Sequence, residues 1–324
     1  MRTNDLQRTV VSKGRKFLLR VETSHEARDY QKYEDIRNEI WGFPDDHLAG
    51  TRNMMCENFL AEGGSLFIGA FAETSGGGFA VDGERLAGFC YGFVGVVDKD
   101  IGFREPSNLR FYSQFAGVRR GYQTYDLGIL IKEFQRDVIF GRFGIGVMIC
   151  TYDPLTGVNA HRNLHHFGME VLEYRVATYG EYGGLLNRFD VASDRLLMSW
   201  DMTKAPRGNS LPSGPSLGEA GQVFRVDKRW IKGRSSDLEL EVVRSADLDS
   251  DRAILLVRIP LDFYLMLRET DVEAADVRRI PIEWRLHTRQ AFQKLIARGY
   301  RVGDFLNKEG NPPANFYVLI KEIK

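Results

Sequence analysis

The stretch from Leu109 to Phe140 constrains the chain most, because its hydrophobic period changes once and abruptly. Leu109, Phe111, Ser113 and Phe115 alternate with Arg110, Tyr112 and Gln114, a strand pattern that runs to Val118. From about Asp126 to Phe140, Leu127, Leu130, Ile131, Phe134 and Val138 recur at helical spacing. The connection, Arg119 to Tyr125, is a turn rich in backbone donors. A strand that enters a helix this way presents unpaired N–H groups and the positive end of the helix dipole, which suits a phosphate. A concave run of N–H groups before the helix adds to that. The plainer alternative is an ordinary strand–turn–helix unit that holds no ligand.

The flanking segments read as mixed α/β. Strands are expected at Lys16–Val21, Ser65–Ala72, Leu86–Val97, Gly146–Tyr152, Glu170–Tyr179 and Arg195–Asp201. Helices are expected over His25–Trp41 and Asn159–His166, the latter stopped by Gly168. After Asp201 the run TKAPRGNSLPSGPSLGEAG reads as a linker. Beyond it, strands at Leu238–Val243 and Ala253–Ile259, a helix at Pro281–Arg298 and strands near 300–305 and 316–322 make a smaller mixed unit. The 324 residues exceed what one core usually organises. The expected division is 1–202, a linker at 203–221, and a C-terminal α/β unit at 222–324 packed on the first.

Lys plus Arg and Asp plus Glu both number 44, so no net field draws the chain to nucleic acid or an anionic membrane. The longest apolar stretch, Gly88–Val97, is far short of the ~20 residues of a spanning helix, and the N-terminal residues show no signal-peptide core. Cys56, Cys90 and Cys150 form no zinc or redox pattern, which fits a reducing, cytoplasmic setting.

With Val118 before it, Gln123-Thr124-Tyr125-Asp126-Leu127-Gly128 resembles the acyl-CoA loop of the GNAT acetyltransferase superfamily. That loop has Gln or Arg, two variable residues, Gly, one variable residue, then Gly or Ala. The resemblance extends over roughly residues 15–202, through ICTYDPL, NAHRNLHHFGM and the two closing strands. Within the superfamily it is similar to a group of large predicted acetyltransferases with a TYDPL-type strand end and an Asn-Ala-His helix. It implies a mixed central sheet with flanking helices, and acetyl-CoA or another acyl-CoA as co-substrate. It further implies direct transfer to an amine of a small molecule, without metal. A homodimer is left open.

The implied cofactor-binding residues are Val118, Gln123, Thr124, Tyr125, Asp126, Leu127 and Gly128, with Asn159 and Asn163 on the pantetheine arm. Asp126 stands where the family has Gly. Its carboxylate either caps the helix and points away, or occupies the anion site and repels a diphosphate. Arg119, Arg120 and Lys132 are near enough in sequence to offset its charge. The family's usual acid, a Tyr four residues before the terminal glycine of the helix, is Leu164 here. His161, Asp153 and Tyr152 are the candidate catalytic substitutes, with His165 nearby. The plain alternative makes the histidines partly solvated surface, Asn159 an N-cap and Asn163 a solvated helix residue. His161 and His165 have the spacing of a helical metal pair, but no glutamate follows the first His and no third ligand is apparent. A non-catalytic acyl-CoA or metabolite-binding protein on a degenerate scaffold is the competing function.

Overall fold

A computed structural model describes residues 6–42, 64–180, 183–204, 217–308 and 313–321. Cys56 and most of the expected linker lie outside the described residues. The chain divides into two compact units: residues 1–150 with 201–204, and residues 151–200 with 205–324. The division at Lys204 falls within the 203–221 linker read from composition, and those at Cys150 and Trp200 fall outside it.

In the first unit, β1 (Gln7–Ser12) and β2 (Arg15–Val21) form an antiparallel hairpin, and α1 (Gln31–Trp41) follows a short 3-10 turn. Next come β3 (Ser65–Ala72), β4 (Leu86–Val96) and β5 (Leu109–Val118), each antiparallel to the strand before it. A 3-10 turn at Arg120–Tyr125 leads into α2 (Leu127–Val138), and β6 (Val147–Tyr152) begins parallel to β5. In the second unit, α3 (Gly157–Ala160) runs on into a wide turn at His161–His166, followed by β7 (Glu170–Arg175) and its antiparallel neighbour β8 (Arg195–Asp201). Within the first unit the strand order is β1-β2-β3-β4-β5-β6, a mixed sheet in which β5 and β6 are the parallel pair.

Aromatic packing builds the first core. Tyr30, Tyr33 and Ile36 bury against Phe67, Phe71, Leu86 and Phe89. The face of α2 anticipated from spacing is buried at Leu127, Ile131, Phe134 and Val138, and Lys132 and Gln135 are buried beside it. β1 escaped the pattern reading because it is a polar edge strand whose residues are largely exposed. Of the expected Glu170–Tyr179 strand, only the part to Arg175 forms.

The C-terminal part of the second unit holds the antiparallel ribbon β10 (Phe224–Lys232) and β11 (Asp237–Ala246). A four-stranded sheet is ordered β13-β14-β12-β9, from Tyr300–Lys308, Ala314–Lys321, Ile254–Ile259 and Gly221–Gln222. Its helices are α4 (Phe263–Glu269), α5 (Ala275–Arg278) and α6 (Ile280–Ala297). α4 was not anticipated, although its Phe263 and Met266 belong to an apolar segment too rich to leave in water; Asp262 caps it through Leu265 N–H at 2.9 Å.

A buried ion pair ties this C-terminal part to the segment after β6. Arg285 of α6 grips Asp153 through two bonds of 2.8 and 2.5 Å, and Arg195 lies 3.4 Å from the same carboxylate. Burial alone would raise the Asp153 pKa, but the charge and hydrogen bonds of Arg285, with Arg195 and Leu155 N–H, hold it below the usual range. A lowered native pKa gives stability that is present above the unfolded value, about 3.9, and is lost as pH falls through the native value. Arg285→Met leaves the carboxylate buried with only the more distant Arg195, and the expected loss at neutral pH is about 3 kcal/mol. Denaturant titrations should show that loss shrinking as pH approaches 4, where the variant's Asp153, buried without Arg285, protonates. An equal loss at every pH would contradict this account.

Candidate functional site

The two groups of sequence-nominated residues lie in different units. Val118 and the run Gln123–Gly128 are in the first; Tyr152, Asp153, Asn159, His161 and Asn163 are in the second.

In the first unit the site begins with a defect in β5. Tyr91 of β4 faces Phe115, but Gly92 faces Ser113, so Gln114 is an extra residue bulged out of the ladder. A bulge bends its strand and sharpens the local twist. Gly92 makes room for it: a Cβ there would lie 2.3 Å from the Phe111 ring and 2.5 Å from Tyr112 O. On its other edge β5 pairs with β6 only at Phe111↔Met148 and Tyr112↔Ile149. Past Tyr112 the strands part, although Phe115–Val118 still pair with β4 through Tyr91–Gly88. Backbone groups of residues 113–118 that face away from β4 are thus left without a strand partner, an edge that an extended ligand can join.

The turn at the end of this edge is anchored from β2. Phe17 packs edge-on against Tyr122 and Tyr125, with centroids 6.1 and 5.5 Å apart, and the Arg15 guanidinium lies 4.8 Å over Tyr122. Gln123 donates from Nε2 to Val118 O at 3.3 Å; Gln123 and Thr124 are exposed, and Tyr125 is half-buried. Asp126 takes up the left-handed conformation, φ 54° and ψ 18°. That conformation explains why glycine suits this position, and aspartate is among the few other residues that tolerate it. Its side chain does not cap α2; the carboxylate lies 3.2 Å from Lys13 Nζ. Leu127 is fully buried. The first helical bonds are those of Ile129 and Leu130 N–H to Asp126 O, so Leu127 and Gly128 N–H stand ahead of the ladder.

The cations expected to offset Asp126 are mostly engaged elsewhere. Arg119 binds Glu39 and the carbonyls of Gly83 and Leu86, and Lys132 is buried with its ammonium 3.0 Å from Ser113 Oγ. Arg120 is exposed. Lys13, from the turn between β1 and β2, is the cation at the carboxylate, and no sequence pattern pointed to it.

In the second unit, Tyr152 is buried with its hydroxyl 3.3 Å from that of Tyr317, which in turn donates to Pro154 O at 2.7 Å. Asp153 is the ion-paired carboxylate of the Arg285 contact. Asn159 bridges Thr156 Oγ1 and Arg162, and Thr156 occupies the N-cap position. Asn163 is 2% exposed, so the plain alternative of a solvated helix residue does not hold: the wide turn rotates it inward. His161 is half-buried and stacks on His165 at 4.9 Å. His165 Nδ1 lies 3.1 Å from a carboxylate oxygen of Asp304, a buried residue of β13 that local sequence could not have linked to this helix.

Burial, and then the neighbouring His165, lower the His161 pKa, while Asp304 opposes them. His161 is therefore neutral and able to accept a proton at pH 7. Asp304→Asn removes the opposing charge, and the His161 midpoint followed by NMR of its ring proton should fall further. An unchanged or higher midpoint would contradict the electrostatics described.

No known protein-family model matches the chain, and no curated protein matches it. Among solved structures, NAA60 of Arabidopsis thaliana in complex with acetyl-CoA is 16% identical, over 58% of this chain and 99% of that one, at a TM-score of 0.40. Spermidine N-acetyltransferase from Vibrio cholerae is 11% identical over 58% of this chain and 95% of that one, also at 0.40. The NatC complex bound to Gag peptide and CoA gives 12%, 56% and 98%, at 0.39. The chain is structurally similar to GNAT N-acetyltransferases over a little more than half of its length.

Proposed function

We propose that this chain is an acyl-CoA-dependent N-acyltransferase that uses acetyl-CoA as donor and an amine of a small molecule as acceptor. The parting of β5 from β6 carries the reading. It leaves a backbone edge at residues 113–118 that ends directly at the first turn of α2. The free edge suits the amide-bearing pantetheine arm, which pairs with it as an added strand would. The helix start suits the diphosphate, through Leu127 and Gly128 N–H and the positive end of the dipole. Both features lie within one compact unit and in the order the molecule requires.

When bound, acetyl-CoA supplies an activated thioester carbonyl. The residues of the chain hold and polarise that group. An N–H within Phe115–Val118 donates to the carbonyl oxygen, where negative charge develops as the amine attacks. Holding donor and acceptor together contributes by proximity, up to roughly 7–11 kcal/mol in well-oriented cases. The C–N bond forms, the C–S bond breaks, and the departing sulfur takes a proton. The amine proton leaves to water and water returns one to the departing sulfur; His161, with His165 and Asp304 behind it, lies in the second unit and is given no role in this step. Asp153 is left out of the chemistry because Arg285 and Arg195 occupy its carboxylate. Tyr152 is left out because its hydroxyl is buried against Tyr317.

One observation favours a second reading, a non-catalytic acyl-CoA-binding protein: Leu164, where the resemblance expects an acidic Tyr, is 1% exposed and offers no proton. Two measurements decide the matter. Calorimetry should show CoA binding to the wild type and none to Gly128→Glu, which adds bulk and like charge at the helix start; unchanged affinity would overturn the site. Release of CoA thiol from acetyl-CoA over a panel of amines separates transfer from binding alone. Cys90 and Cys150 are buried, and burial pushes Cys90 up to about 12; a control without amine subtracts any thiol signal of the protein itself, Cys56 included.

A further inference from the structure

We propose that Lys13 belongs to the cofactor site as a positioning residue: it takes up the charge of Asp126, so that a diphosphate can be held at the start of α2. This rests on the acyl-CoA reading. Three non-glycine residues have positive φ among those described, Lys13, Asp126 and Ala177, and the first two touch each other. Lys13 and Gly14 are the central residues of the two-residue turn that closes the β1–β2 hairpin, with φ of 47° and 78°. Such turns favour Asn or Gly, so a lysine is not there for the turn's sake. Its side chain crosses to the turn before α2, where Nζ donates to Thr124 O and meets the Asp126 carboxylate.

The pair is 57% and 54% exposed, and a pair so open to water adds little to stability. What it changes is the local charge. Asp126 stands beside the N–H groups of Leu127 and Gly128, where an unpaired carboxylate would compete for the dipole and repel a diphosphate. Lys13 cancels that charge and draws the carboxylate toward the hairpin. Arg119 and Lys132 are held by other partners, and Arg15 lies over the Tyr122 ring. Among the described residues Lys13 is the cation paired with Asp126.

Calorimetric titration with CoA, and with pantetheine as a probe that lacks the diphosphate, tests this. Lys13→Gln should weaken CoA binding about fivefold at low salt, on the scale of helix-end charges, and leave pantetheine unchanged. In an Asp126→Gly background the same substitution should cost almost nothing, and Lys13→Arg should retain wild-type affinity. Lys13→Gly, which the left-handed backbone accepts, serves as a second amine-free variant, and thermal melting shows that each variant is folded. Equal CoA affinity in Lys13→Gln and wild type would overturn the proposal and leave the acyl-CoA reading standing. An equal loss with and without Asp126 would also overturn it, since Lys13 would then act on phosphate directly. Failure of the wild type to bind CoA would overturn the reading itself, and this inference with it.

Discussion

One extra residue in a strand, Gln114, shapes everything proposed for the first unit. A regular β5 would keep its register with β4 and could run alongside β6 for its whole length. The bulge bends it, and the two neighbours respond differently. β4 follows the bend because Gly92 lets Phe111 and Tyr112 come close, whereas β6 loses its pairing after Ile149. The result is a sheet with an unpaired edge in its interior. Unpaired backbone inside a fold is costly unless something satisfies it, and that cost can be turned to holding a ligand that carries amide groups of its own.

The loop that ends this edge shows how local strain and charge are balanced. Asp126 accepts a left-handed backbone that glycine would take freely, and it places a negative charge where a negative ligand is expected. The compensation comes from Lys13, more than a hundred residues earlier in the chain, which is itself in a left-handed turn. Aromatic contacts from Phe17 and the Arg15 guanidinium fix the loop against β2, so its conformation is held before any ligand arrives.

Much of this was legible in the residues because it is local. The alternation of Leu109–Val118, the helical face of α2 and the strand Arg195–Asp201 follow from periodicity, and the structure returns them nearly unchanged. The bulge was not legible: Gln114 continues the alternation, and only its partner across the ladder reveals the extra residue. Neither were the long-range pairs. Asp153 reads as a candidate acid until Arg285 is seen beside it, and His165 gains its carboxylate from Asp304 on a strand of the C-terminal sheet. β1 was missed for the opposite reason, since an exposed polar edge strand carries no hydrophobic period.

The central claim is that a ligand's backbone-like arm joins β5 where β6 leaves it. The most direct measurement is the change in backbone amide resonances of isotopically labelled protein as CoA is added. The account predicts that the amides of residues 113–118 and of Leu127 and Gly128 shift together and saturate at one affinity. Shifts confined to other segments, with those amides unmoved at saturation, would contradict it.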